Sequence, residues 1–185
     1  MRKFVVLLFV ISTLVLLASC GGGGSSTHSQ APVWGIVEGF AFKGVVDDGQ
    51  VDLYEVNDDF TQTTLIKSVS TNSNGFFRAN TGDYRGPVLL VVSDGTYRDE
   101  GNNLLVDISD EAAGDTNLMM QSFLPALPTG PGGTQQIFTA NITPFTTMAT
   151  SMIKLLMQTG REAQESFDII LNGLNDFVGL DIMET

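Results

Sequence analysis

The sequence predicts a mainly β protein: a seven-stranded antiparallel sandwich followed by a C-terminal αα-hairpin. Two observations carry this prediction. Short β-rich runs separated by turn residues recur over residues 33–123, at the spacing typical of an antiparallel sandwich. Two helical patterns with apolar stripes and start and stop signals then occupy residues 143–185. We therefore expect the strands to form the body and the two helices to pack beside it.

Alternating apolar residues and Asn, Asp and Gly turns delimit the strands. The run 87–92 is short and continuously apolar, which predicts a strand buried on both faces. Asn72-Ser73-Asn74-Gly75 predicts a hairpin turn, with a return strand from Phe76 to Ala79. The other predicted strands cover residues 33–37, a run around Val51 and Leu53, 63–70, a run around Leu104 to Ile108, and 116–123.

Composition limits the functions that are open to the chain. Its 185 residues are 43% hydrophobic and 16% charged, which suits about one domain with its own core. Nine basic against 21 acidic residues give a net charge of −12, which excludes nucleic acid as a partner, because phosphate binding needs Lys and Arg. One Cys excludes an internal disulfide framework, and the single His, His28, lies in the predicted tether, so the folded region has no His to serve as the base of a triad. We predict a non-enzymatic protein without catalytic residues.

The first nineteen residues have the pattern of an export signal. A short basic start precedes a largely apolar run over residues 4–17, which is shorter than the about 20 residues of a membrane-spanning helix. The run ends in Leu17, Ala18, Ser19 and Cys20, which resemble the lipobox of bacterial lipoproteins. The resemblance implies cleavage before Cys20 and lipidation of its thiol. Because Gly21 is not the Asp associated with inner-membrane retention, the resemblance also implies the outer membrane.

Residues 20–32 are predicted to form the lipidated Cys and a flexible Gly/Ser tether. Such a tether lets a folded body clear the lipid headgroups, and several acyl chains give stable anchoring. The expected partner is a membrane, reached through the lipid anchor, with an envelope protein or a glycan as a further partner. The alternatives are an ordinary signal peptide in which Cys20 is a chance residue, and an uncleaved anchor helix.

Within the strand region, one turn resembles a known domain. The stretch Thr71 to Phe77 is similar to the Thr-Asp-x-x-Gly-x-Phe hairpin of the carboxypeptidase regulatory-like domain. Asn72 stands where Asp is usual, and its side chain can still form an Asx-turn. Other motifs that resemble the same domain are Val33-x-Gly35, Val51-x-Leu53-Tyr54, Tyr84-x-Gly86-Pro87-Val88 and Gly95-Thr96-Tyr97. Together with the hairpin stretch, the resemblance covers about half the chain. It implies a transthyretin-like, Ig-like sandwich that serves as a spacer, a stabiliser or a binding surface.

The remaining residues divide into a linker and a helical pair. Residues 124–142 are predicted to be a linker with an additional strand, and residues 143–185 to be the helices. Thr143 and Pro144 have the pattern of an N-cap and first helical residue, and Gly160 that of a C′ residue. The predicted apolar stripes contain Phe145, Met148, Met152, Leu155 and Leu156, and then Ala163, Phe167, Ile170, Leu171, Leu174, Phe177 and Val178. We expect the stripes to pack into the core; the alternative is a docking face for a partner.

Two acidic turns flank the strand around Val51 and provide the candidate metal ligands. They contain Asp47, Asp48, Asn57, Asp58 and Asp59. Oxygen ligands of this kind suit calcium, but their spacing does not match an EF-hand loop. Adjacent carboxylates in turns are usually solvated, so our leading prediction is that the protein has no cofactor, with calcium as the alternative.

These observations lead to a ranked set of functions. The leading hypothesis is a non-enzymatic, lipid-anchored cell-envelope protein whose sandwich acts as a stalk or interaction module. The alternatives are a ligand-binding module for a glycan, a peptide or calcium, and the truncated N-terminal part of a larger surface lipoprotein. A hydrolase would need residues that the sequence does not offer.

Overall fold

A computed structural model describes residues 35–108, 119–127 and 135–178, which contain nine strands and two helices. The strands are β1 (Gly35–Phe40), β2 (Gln50–Val56), β3 (Gln62–Ser70), β4 (Phe76–Gly82), β5 (Val88–Ser93), β6 (Thr96–Arg98), β7 (Leu105–Asp107), β8 (Met120–Leu124) and β9 (Gln136–Thr139). The helices are α1 (Pro144–Gln158) and α2 (Ala163–Val178). The predicted class, mainly β with two C-terminal helices, is confirmed.

The strands form three sheets. One has four antiparallel strands in the order β3-β2-β5-β8, and a second has the order β4-β1-β9. A small antiparallel sheet pairs β6 with β7. β1 pairs with β4 antiparallel but with β9 parallel, a difference from the all-antiparallel prediction. Parallel neighbours need a long connection between them, and β1 and β9 are separated by most of the sandwich. The second sheet therefore gains its third strand, β9, only near the C-terminal end of the strand region.

β5 separates two hydrophobic cores. Val88, Leu90 and Val92 belong to the core between the sheets, while Leu89 and Val91 belong to a second core beneath the helices. Successive residues of a strand point to opposite faces, so a strand between two cores needs apolar side chains at every position. This explains why 87–92 is a continuous apolar run, as predicted.

The predicted turn at residues 72–75 forms, but it does not make a hairpin. The Asn72 side-chain oxygen accepts hydrogen bonds from the backbone N–H groups of Asn74 (2.9 Å) and Phe76 (3.1 Å), which is the expected Asx-turn. The flanking strands nevertheless belong to different sheets, because β3 pairs with β2 and β4 pairs with β1. The hairpin prediction is therefore wrong. Turn chemistry specifies a local reversal, whereas the pairing of the strands is decided by which core their apolar residues enter.

Both ends of α1 follow the prediction. The Thr143 hydroxyl accepts a hydrogen bond from Thr146 N (3.1 Å), and the Thr146 hydroxyl accepts one from Thr143 N (2.8 Å), which is a reciprocal capping box. Gly160 has φ +90, and its N–H donates to the Met157 carbonyl (2.9 Å), as in a helix C-terminus closed by glycine. The chain then turns directly into α2.

The buried face of α1 differs from the predicted stripe. The buried residues are Thr146, Ala149, Thr150, Ile153 and Met157. Phe145, Met148, Met152 and Leu155 are exposed, and Leu156 is half-buried. The prediction that the α1 stripe packs into the core is therefore wrong for its four exposed residues. In α2 the stripe does pack inward, with Ile170 and Leu174 buried and Ala163, Phe167 and Leu171 packed against the same core. Phe177 and Val178 belong to α2, but their side chains lie outside the described part.

Neither of the two described helices is long and apolar enough to cross a membrane.

Candidate functional site: the outer face of α1

Four large apolar side chains lie exposed along one side of α1. Phe145 is 51% exposed, Met148 42%, Met152 40% and Leu155 65%. We call these four residues the outer face of α1. Residues spaced by three and four positions lie on the same side of a helix, so the four form one continuous stripe. Single exposed apolar residues are ordinary on protein surfaces, whereas a contiguous stripe on one element is a candidate contact surface.

The orientation of α1 is set by hydroxyl groups that bind the outer edge of the four-stranded sheet. The Thr146 hydroxyl donates to the Gln121 carbonyl (2.9 Å), and the Gln121 N–H donates to the Thr147 hydroxyl (2.8 Å). β8 is the edge strand of that sheet, and its backbone groups need partners when an element covers them. The threonines therefore face the sheet, because they satisfy polar groups that apolar side chains would leave unpaired.

The second core fixes the same orientation through packing. Ala149, Ile153 and Met157 join the core that contains Phe123 of β8 and Leu174 of α2. Ile153 and Met157 are each 1% exposed. With this side of α1 buried, the outer face cannot turn inward without removing Ile153 and the threonines from the core. The exposure of the outer face is therefore a property of the packed fold.

The outer face lies in the least acidic part of an acidic chain. The chain has 21 acidic residues and a net charge of −12, yet there is no Asp or Glu between Asp115 and Glu162. Lys154 is the sole charged residue of α1. On the outer surface of α2, by contrast, Glu165, Asp168 and Asp176 provide three carboxylates. The two helices thus offer surfaces of opposite character.

A small pocket lies at the N-terminal end of α1. Its volume is about 160 Å³, and it is lined by Lys43, Met119, Met120, Pro144 and Thr147. Pockets that enclose drug-sized molecules have volumes of roughly 300–1,000 Å³. The Lys43 ammonium lies 5.2 Å from the centre of the Tyr97 ring, in a cation–π contact within the fold. The size of the pocket does not favour a small-molecule site.

The structure does not bring the predicted calcium ligands together. Asp47 and Asp48 precede β2, whereas Asn57, Asp58 and Asp59 follow it. Seven extended residues span roughly 20 Å, which is far beyond the reach of one ion's ligand shell. Among the described residues there is also no group of three His, Cys, Asp or Glu placed to hold a metal ion. The five-residue site is therefore corrected: the two turns lie at opposite ends of one strand.

The second of these turns positions a core residue. Thr61 N donates to the side chains of Asn57 (2.6 Å) and Asp59 (2.9 Å). These bonds support the left-handed conformation of Phe60 (φ 64), whose buried ring lies 5.1 Å from that of Phe123. Hydrogen bonding to Thr61, through its side chain and then its amide, lowers the pKa of Asp59. The acidic residues here order a turn.

The lipobox residues Leu17, Ala18, Ser19 and Cys20 lie outside the described residues. The prediction of lipidation at Cys20 therefore remains a prediction. The residues that orient the outer face, Thr146 and Thr147, were not singled out from the sequence. The acid-free stretch between Asp115 and Glu162 is the signal that would have drawn attention to this region.

Comparisons with known proteins leave the family open. No family model matches the chain, and no curated protein matches it. Among solved structures, the chain is similar to a DUF3823 family protein from Parabacteroides merdae, with a TM-score of 0.33 and 15% identity over 62% of this chain and 48% of that one. It is also similar to a 9R-lipoxygenase from Cyanothece, with a TM-score of 0.32 and 13% identity over 80% of this chain and 25% of that one. The chain thus spans about half the length of the first of these proteins and a quarter of the second. Likenesses this slight carry no functional argument. The fold is that of a mainly β protein with an exposed apolar face on α1.

Proposed function

We propose that this protein is a non-enzymatic, lipid-anchored component of the bacterial cell envelope, and that its folded body is an interaction module presenting the outer face of α1. One observation carries the interaction role. A helix held by two partly buried hydroxyl contacts and a packed core leaves four large apolar side chains 40–65% exposed.

The size of the outer face sets the strength of the interaction. From the exposed fractions, the four side chains leave roughly 350 Å² of mainly apolar surface in water. At about 25 cal/mol per Å², covering this area yields about 9 kcal/mol before the costs of association, which are of similar size. The outer face therefore supports a weak contact by itself. Such a contact becomes effective when both partners are confined to the same surface.

The lipid anchor supplies that confinement in this proposal. The lipobox-like sequence ending in Cys20 and the Gly/Ser tether after it support anchoring to a membrane. The chain's single His is His28, in the predicted tether, so the folded body has no imidazole to act as a general base, which supports a non-enzymatic role. Turnover of a hydrolase substrate by the purified protein would contradict that part of the proposal.

Labelling with radioactive palmitate tests the anchor. The full-length chain is expressed in a Gram-negative host, and its label and membrane fraction are compared with those of two variants. We expect wild type and Ser19→Ala to carry label in the outer-membrane fraction, since Ser19→Ala keeps a small residue before Cys20. We expect Cys20→Ala to carry none, because it lacks the thiol that receives the lipid. Label that persists in Cys20→Ala, or its absence from wild type, would contradict the proposal.

A further inference from the structure

We propose that the partner of the outer face is a second copy of this chain, with two α1 helices packed antiparallel about a twofold axis. The inference deepens the proposed function and rests on it in one respect: the lipid anchor provides the local concentration that a contact of this size needs.

The spacing of the outer face is self-complementary. Its residues are separated by three, four and three positions, which is the repeat of a helix–helix seam. Consider an antiparallel pair whose midpoint along the helix axis is level with Thr150, a residue on the buried side of α1. Phe145 then lies opposite Leu155 of the second copy, and Met148 lies opposite Met152. Both pairs have the same centre, so one twofold axis satisfies all four contacts. A twofold contact of this kind uses the same patch on both copies.

Charge favours this surface over the acidic parts of the molecule. Two copies of a chain with net charge −12 repel each other, and apposed carboxylates add to that cost. α1 contains no carboxylate. Its single cation, Lys154, lies about 140° around the helix from the middle of the outer face, at 100° per residue. The α1 pair therefore forms without bringing like charges together, whereas pairing through the outer surface of α2 would appose Glu165, Asp168 and Asp176.

The area available explains when the pair forms. Two outer faces together bury roughly 700 Å² of side-chain surface, below the about 1,200–2,000 Å² of stable complexes. We therefore expect separate copies in dilute solution. On a membrane, the anchors confine the copies to one surface, which raises their local concentration above that in dilute solution. Under that condition the pair is populated.

Thiol cross-linking of the full-length chain in membranes tests the arrangement. Two differently tagged copies, one carrying Met148→Cys and the other Met152→Cys, are co-expressed and treated with a short bis-maleimide. Because Cys20 carries lipid in the proposed state, the introduced thiols are the free ones. We expect a cross-linked dimer containing both tags. Copies carrying Lys154→Cys, on the other side of the same helix, serve as the matched control and should give at least tenfold less dimer.

A charge exchange provides a second measurement that separates a twofold pair from other occupants. The cross-link between Phe145→Cys and Leu155→Cys copies is measured with Met152→Lys present in both. We expect at least a tenfold loss, because two ammonium groups then enter the seam. Adding Met148→Glu to both copies should restore the cross-link, since each introduced carboxylate faces an introduced ammonium.

Three results would overturn the inference: cross-linking no stronger than the Lys154→Cys control, a cross-link to a different protein in place of the dimer, or no recovery with the exchanged charges. Palmitate labelling separates this failure from failure of the anchor. Label without the dimer contradicts the self-association alone. If label is absent, the anchor is rejected, and purified Cys20→Ala copies are cross-linked at about millimolar concentration, which replaces confinement by the anchor. A dimer there supports the seam, and its absence overturns it.

Discussion

Replacing Thr146 with Val tests whether hydroxyl contacts hold α1 against the edge of the sheet. The side chain is 1% exposed and of nearly the same shape as Val. Its hydroxyl accepts from Thr143 N (2.8 Å) and donates to the Gln121 carbonyl (2.9 Å). The variant therefore leaves two backbone groups without this partner and creates little empty space. At about 1–1.5 kcal/mol for each group, we expect a loss of about 2–3 kcal/mol in the free energy of unfolding.

Chemical and thermal denaturation followed by circular dichroism measure this loss. For a chain of this length, 2–3 kcal/mol lowers the Tm by about 5–10 °C. Thr146→Ser keeps the hydroxyl and should retain most of the stability. Ser151→Ala removes an exposed hydroxyl from the same helix and should cost less than about 0.5 kcal/mol. A Thr146→Val variant as stable as Ser151→Ala would refute the reasoning, because the hydroxyl contacts would then contribute nothing to holding α1.

Four further substitutions test three other parts of the fold. Gly95 and Gly82 both have positive φ, but a Cβ at Gly95 would lie 2.5 Å from backbone atoms of a neighbouring turn, whereas a Cβ at Gly82 meets nothing within 4 Å. In urea denaturation we expect Gly82→Ala to cost about 1 kcal/mol and Gly95→Ala about 2 kcal/mol more; equal costs would contradict the contact. The buried Ser166 hydroxyl has no partner among the described residues, so Ser166→Ala should unfold at an equal or higher temperature, and a loss above about 1 kcal/mol would disprove this. Hydrogen bonding to Thr61 lowers the pKa of Asp59 in the folded protein below its ordinary value of 3.8. The ionised Asp59 side chain therefore stabilises the fold above pH 3.8, and this stabilisation is lost as the pH falls through the lowered pKa of the folded state. The difference in urea midpoint between wild type and Asp59→Asn should therefore shrink in that acidic range, and a difference that stays constant would count against it.

Local signals in the sequence predicted local structure well. Thr143, Pro144 and Gly160 marked the ends of α1 because capping depends on the residues at the cap itself. The apolar run 87–92 predicted a doubly buried strand because both neighbouring cores draw on the same short segment. The Asx-turn at Asn72 also formed, since its hydrogen bonds reach only two and four residues along the chain.

Features set by distant contacts could not be predicted in this way. The buried face of α1 is chosen by the exposed backbone of β8, which favours Thr146 and Thr147 over the more apolar Phe145 and Met148. Hydrophobic periodicity ranks side chains by apolar character, so it selected the outer face as the core. The candidate calcium ligands failed for a related reason: closeness in sequence across β2 becomes separation in space once the strand is extended.

The identity of the N-terminal group on the membrane-extracted protein tests the central claim most directly. Mass spectrometry of the first proteolytic fragment should find a chain that begins at Cys20 and carries acyl chains on that residue. A fragment that still contains residues 1–19, or one in which the Cys20 thiol is unmodified, would contradict the account, because the folded body would then have no attachment of the kind proposed.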